Sequence, residues 1–186
     1  MADDSRTIEL SRSELREVAG YAVACARPAL AIFESDRRDD RRPRAAIDAA
    51  QAFADGGERT KALRDSAWAA HRTAQEARDA GQAQSASDAA RAAGHAVGAA
   101  FLHPLPTATQ VKHILGSAAH AARAFELSAG DDPAVGLDQI AQSRILAPPV
   151  IVDVLRRYPS APSGGRRVGE LIRMLDASLR RPASDR

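Results

Sequence analysis

Alanine fills 42 of the 186 positions, and this excess limits the fold more than any other property of the chain. A methyl side chain surrenders no rotamer freedom in a helix, so alanine is the strongest helix former. Leu, Ile, Val and Phe together number only 35, or 19%, just under the level of roughly 20% below which highly charged chains stay disordered. The formal net charge is only +2, so the second condition for disorder fails. β-Branched residues are scarce and alternating patterns are absent, which argues against strands. The expectation is an all-α, compact, Ala-rich helical bundle of about five main helices plus short C-terminal helices. Alanine and glycine at its interfaces bring helix axes to or inside the usual spacing of roughly 8–10 Å.

Cys25 is the only cysteine, so no internal disulfide can form and a reducing cytoplasm suits the chain. The opening MADDSRTIELS is acidic and lacks the apolar stretch of a secretory signal. No apolar run nears the 18 or so residues of a membrane span. A cytoplasmic protein with no membrane partner is expected. The pI near 9.1 overstates the basicity, because almost nothing in this chain titrates between about pH 7 and 10. The positive charge is concentrated instead. After residue 155 come eight Arg against three carboxylates. Such a tail can meet phosphate backbones, but arginine on a solvated surface is the plainer reading. Nucleic acid therefore has the least support among partners.

Ser11, with Glu14 three residues on, has capping-box register for a first helix. Leu15, Val18, Ala22 and Cys25 stripe it, and Pro28 kinks or restarts it. Pro43 suits the first turn of the next helix, which runs to about Asp55 and stops at Gly56-Gly57. Further helices are expected at about 59–80, 87–102, 107–127, 133–143, 149–158 and 166–181. Breaks fall at Gly81, at the His103-Pro104-Leu105-Pro106 run and at the linker 159–165. Between Ala92 and Leu102 only His95 can carry a charge, so that helix should be buried nearly all round. Residues 1–130 are expected to form the bundle, with 131–186 as a short helical extension packed on it.

Histidine is the informative residue against this plain background. His95 lies between Gly94 and Gly98, each of which costs up to about 1 kcal/mol of helix stability relative to alanine. Something approaches that face closely, either a neighbouring backbone or a ligand. A buried imidazole needs a hydrogen-bond partner, and a core side chain or carbonyl serves as well as a ligand does. His113 and His120 are seven apart and share a helix face with Gly116, while His71 follows Trp68 by three. If these helices are neighbours, the imidazoles converge.

His71, His95, His113 and Asp48 are then the candidate catalytic groups, and Arg42, Arg44, Trp68 and His120 the candidate ligand-binding ones. A His–carboxylate–Arg cluster suits general acid–base work or anion binding. The plainer alternatives are a surface pair between Arg44 and Asp48, four apart on one helix, and Trp68 as a core anchor. There is no His-Glu-x-x-His, Glu-x-x-His, cysteine pair or phosphate-binding glycine loop, so no metal and no cofactor is expected. Cys25 has no adjacent histidine and Gly-x-Ser-x-Gly is absent, so no nucleophile motif is present.

Four segments carry a family resemblance: RPRAAIDAAQAFADGGE at 42–58, AWAAHRTAQEAR at 67–78, AARAAGHAVGAA at 89–100 and HILGSAAHAARA at 113–124. In this order they resemble the Imm5-like putative immunity proteins of bacterial polymorphic toxin systems. The likeness covers about residues 21–127, and the shared positions are Arg42-Pro43-Arg44, Ile47, His71, Gly94-His95, His113 and Leu115-Gly116. His120 stands where an aromatic residue is expected, and the 103–110 connection is longer than usual. The resemblance implies a small all-helical cytoplasmic protein that binds and neutralises a cognate toxin.

Occluding a toxin surface requires exposed anchors and complementary charge, and it makes no evident use of histidines on internal helices. The alternative is therefore a small-molecule enzyme or binding protein whose bundle encloses a His/Arg-lined pocket. Whether the chain is an enzyme is left open by the residues. Ala-rich faces also suit a homodimer contact.

Overall fold

The computed structural model describes residues 7–80 and 83–181. Nine α-helices follow one another among these residues, with no strand. They are α1 (Arg12–Ala26), α2 (Leu30–Asp36), α3 (Arg42–Ala54), α4 (Lys61–Asp79), α5 (Gln84–Ala99), α6 (Val111–Ser128), α7 (Pro133–Leu146), α8 (Pro149–Arg156) and α9 (Arg166–Arg180). Local chemistry sets the ends. Ser11 and Glu14 form the reciprocal capping box of α1, and a 3-10 turn through Pro28 separates it from α2. Gly57 N–H bonds back to Ala52 after the last turn of α3, with Gly56 at φ +117°, a closure that only glycine adopts without strain. Thr60 and Asp132 cap α4 and α7. The expected break at Gly81 lies outside the described residues, and α5 starts at Gln84, three residues earlier than its periodicity indicates.

Helix α5 is the axis of the bundle. It packs against α1, α2, α3, α4 and α6, and twelve of its sixteen residues are buried, Asp88 among them. The alanines make this possible. Ala86, Ala89, Ala90, Ala92, Ala93, Ala96 and Ala99 are buried on α5, and Ala118, Ala119, Ala121, Ala122 and Ala124 on α6. Side chains this short leave backbones near enough for direct side-chain-to-carbonyl bonds between helices. Ser87 donates to the Ala74 carbonyl of α4 at 2.8 Å, and Ser117 of α6 donates to the Ala92 carbonyl at 3.0 Å. Larger apolar groups (Phe33, Phe53, Ile47, Ile114, Leu115) fill the space beyond them.

Helices α7 and α9 pack on α6, and α8 packs on α1 and α9. The C-terminal arginines do much of the fastening. Arg157 bonds to Glu14 and to the Glu9 carbonyl, and its guanidinium holds the Glu14 carboxyl at about 2. Arg173 donates to the Pro162 and Gly164 carbonyls. Arg180 pairs with buried Asp176 and reaches the Tyr158 and Pro159 carbonyls. Arg167 and Arg123 converge on the fully buried carboxylate of Glu126. Gly136 of α7 sits so close to that carboxylate that a Cβ would overlap it. Four of the seven described arginines beyond residue 155 are thus spent on internal bonds.

Glu126 is the polar tie between α6, α7 and α9. Glu126→Gln keeps the shape and removes the charge that faces two guanidinium groups. The expected loss is about 2 kcal/mol in urea unfolding, below the roughly 3–5 of a fully dry pair, because both arginines keep some solvent contact. An unchanged unfolding midpoint would show that the carboxylate carries no stability.

Candidate functional site

Three glycines on α5 and α6 each face an imidazole. A Cβ on Gly94 would lie 3.1 Å from Cε1 of His71, one on Gly98 would lie 3.3 Å from Nδ1 of His113, and one on Gly116 would lie 2.6 Å from Nδ1 of His95. The last distance leaves no room for a methyl group unless the ring moves. Glycine is therefore the condition for these rings to lie against a helix backbone. The pairs 98·113, 95·116, 92·117 and 88·120 run antiparallel along α5 and α6, and His71 enters from α4.

The rings form a ladder. Trp68 meets His71 edge-on with centroids 6.4 Å apart, and His71 meets His95 edge-on at 5.8 Å. His95 stacks on His120 at 5.0 Å with 21° between the planes. At the end of the ladder His120 Nδ1 lies 2.7 Å from Oδ1 of the buried Asp88, whose other oxygen accepts from Gln84. A carboxylate accepts a hydrogen bond from Nδ1–H and so orients the ring, with Nε2 turned away from Asp88. Burial pushes the His95 pKa well below its usual value, and the neighbouring His120 and His71 rings lower it further. His71 is lowered by burial and then by Arg91. His113 is lowered by burial and then by His103, and its Nδ1 is buried without a hydrogen-bond partner among the described residues. His95 is part-buried and lines a cavity on either side of its ring.

His71, His95 and His113 share a cavity of about 520 Å³ between α4, α5 and the 101–104 segment. Arg59 and Arg64 stand over the Phe101 ring at its rim, 6.0 and 5.0 Å from the centroid. Trp68 lines the same cavity and is 61% exposed. It is not the core anchor suggested by its place in an Ala-rich helix. Alanine neighbours leave no apolar pocket deep enough for an indole, so it stands at the mouth. Cys25 is buried, and desolvation raises its thiol to about 11, so it is no nucleophile.

The candidate residues divide cleanly. His71, His95, His113, His120 and Trp68 come together. Arg42, Arg44 and Asp48 do not line the cavity. Arg42 is held by Asp40 and Glu76. Arg44 grips Glu34 with two bonds of 2.6 Å rather than pairing with Asp48, whose partner is Arg27 at 3.7 Å. A fork-shaped guanidinium gains more from a bidentate carboxylate across two helices than from a single contact one turn away. Sequence reasoning passed over Asp88, Arg64, Phe101 and His103. For Asp88 a signal existed, because Asp88 and His95 are seven apart on α5, as His113 and His120 are on α6. Among the described residues, no group of three His, Cys, Asp or Glu stands ready to hold a metal ion.

Comparison with known proteins yields one match. A family model described as Imm-5 like putative immunity protein covers residues 9–147, reaching from just before α1 through α7 and so beyond the four segments noted above on both sides. No curated protein and no solved structure matches the chain.

The depressed histidines set a pH dependence. Below the unfolded value of about 6.5 the unfolded chain takes up protons that the folded rings refuse. Stability therefore falls on acidification, by up to about 1.4 kcal/mol per pH unit for each ring that stays neutral. The Glu14 carboxyl, at about 2 against an ordinary 4.5, adds its loss only below about pH 4.5. Urea midpoints should thus drop between pH 7 and 5, and less steeply in His95→Gln. A flat profile in the parent protein would contradict burial of neutral imidazoles.

Proposed function

Because the chain belongs to the family of Imm-5 like putative immunity proteins, we propose that it binds and neutralises a cognate bacterial toxin. The match over residues 9–147 carries this reading. The surface supports it with the anchors that occlusion needs. Leu137, Ile145, Leu146 and Met174 are exposed on α7 and α9, with Arg144, Arg156 and Arg181 around the adjoining grooves. Large apolar side chains inside a cationic rim suit an acidic face on the partner.

A second reading rests on a separate observation. His95 faces a cavity of small-molecule size together with three further imidazoles and two arginines. A toxin-blocking surface has no need of this. Trp68 at its mouth is the only tryptophan in the chain, so its fluorescence reports occupancy directly.

The reading predicts an adjacent gene encoding a large secreted protein with a toxic tip. Co-expression with that toxic domain should restore growth, and Ile145→Asp should weaken the purified complex about tenfold or more, or at least about 1.4 kcal/mol. No protection by the parent protein would overturn the reading. The second reading predicts a native mass spectrum with a bound small molecule whose removal changes Trp68 emission. An empty cavity with Trp68 emission indifferent to a metabolite library would leave the second reading without support.

A further inference from the structure

A second cleft, of about 540 Å³, lies on the far side of His95 between α5, α6 and the start of α9. His95 lines both cavities. We propose that this second cleft binds a small phosphate-bearing ligand, a role separate from any toxin surface.

The charge of the wall is the first observation. Arg78, Arg91, Lys112, Arg123, Arg166 and Arg167 all line it, and Asp88 is the only carboxylate in it among the described residues. That carboxylate is already engaged by His120 and Gln84. Arg123 and Arg167 are neutralised from behind by Glu126, which fixes their positions.

Arg78 is engaged by Asp79 and Gln75, and the other three cations are unspent. Arg91, Lys112 and Arg166 all line the cleft and form no ion pair and no hydrogen bond among the described residues. They come from three different elements, α5, α6 and the N-terminal turn of α9, so no local sequence accident gathered them. Concentrating unpaired positive charge costs free energy unless an anion completes it.

The size and chemistry of that anion follow. A phosphomonoester carries roughly two negative charges at neutral pH, closer to three free cations than one carboxylate is. Arginine forks match phosphate oxygens in pairs. The volume falls in the range of small-ligand sites, roughly 300–1,000 Å³, and Val168 and Ile172 give one wall an apolar surface for a carbon skeleton. Free inorganic phosphate shares the anionic chemistry and lacks the skeleton.

Calorimetric titration of the full chain with phenyl phosphate, inorganic phosphate and benzoate separates these cases. Phenyl phosphate should bind one to one, with benzoate at least tenfold weaker. Inorganic phosphate weaker than phenyl phosphate identifies an organic ligand, and equal affinity identifies free phosphate as the occupant. Arg91→Gln combined with Lys112→Gln should lower phosphate affinity about tenfold or more. Neither side chain makes a structural bond, so an unchanged melting temperature confirms that the double variant folds, and Arg166→Gln provides an independent second variant. The proposal fails if neither phosphate binds, if benzoate binds as well as phenyl phosphate, or if affinity survives in both variants. It fails also if the double variant loses the toxin while the parent ignores both phosphates, since the cleft would then be a protein-docking surface.

Discussion

Where α5 passes between α4 and α6, a glycine backbone meets an imidazole ring three times, at Gly94, Gly98 and Gly116. The arrangement of the rest follows from this contact. Because glycine yields the space of a side chain, His71, His95 and His113 can lie between helices that alanine has already drawn together. Lying there, they lose solvent and stay neutral. Because the rings are flat and the packing is otherwise made of methyl groups, space remains on both sides of His95. An interior built from leucine at these positions would be tighter and would contain neither cavity.

The helices were legible in the sequence, and for particular reasons. Ser11–Glu14, Pro28, Pro43 and Gly56-Gly57 act through their own backbone geometry, so each marks its boundary without reference to the rest of the chain. The convergence of the histidines was half legible. Glycine beside His95 showed that something comes close, but not whether it was a ring or a ligand, and it is a ring on each occasion. Charge pairing was the least legible. Arg44 chose Glu34 over Asp48, and Arg157 chose Glu14, 143 residues away, because ion pairs depend on which helices touch. Trp68 misled for a related reason. Helical periodicity tells which face a residue occupies and says nothing about the size of the hole opposite.

The electrostatics of the C-terminal segment also look different in three dimensions. By composition it is a basic tail. In the fold, Arg157, Arg167, Arg173 and Arg180 are used to hold α8, α9 and the 159–165 connection against the bundle. What remains unpaired of this segment is Arg166 in one cleft, and Arg156 and Arg181 beside exposed apolar side chains. These are separate features. The first suits a compact anion and the second a protein surface, and this chain has room for both.

The glycine–imidazole contacts are the element on which all of this rests, and nuclear Overhauser spectroscopy reads them directly. The account predicts cross-peaks from the ring protons of His71 to the Hα protons of Gly94, from His113 to Gly98 and from His95 to Gly116, together with ring-to-ring contacts between His95 and His120. Imidazole protons that show no contact with these glycines would contradict it.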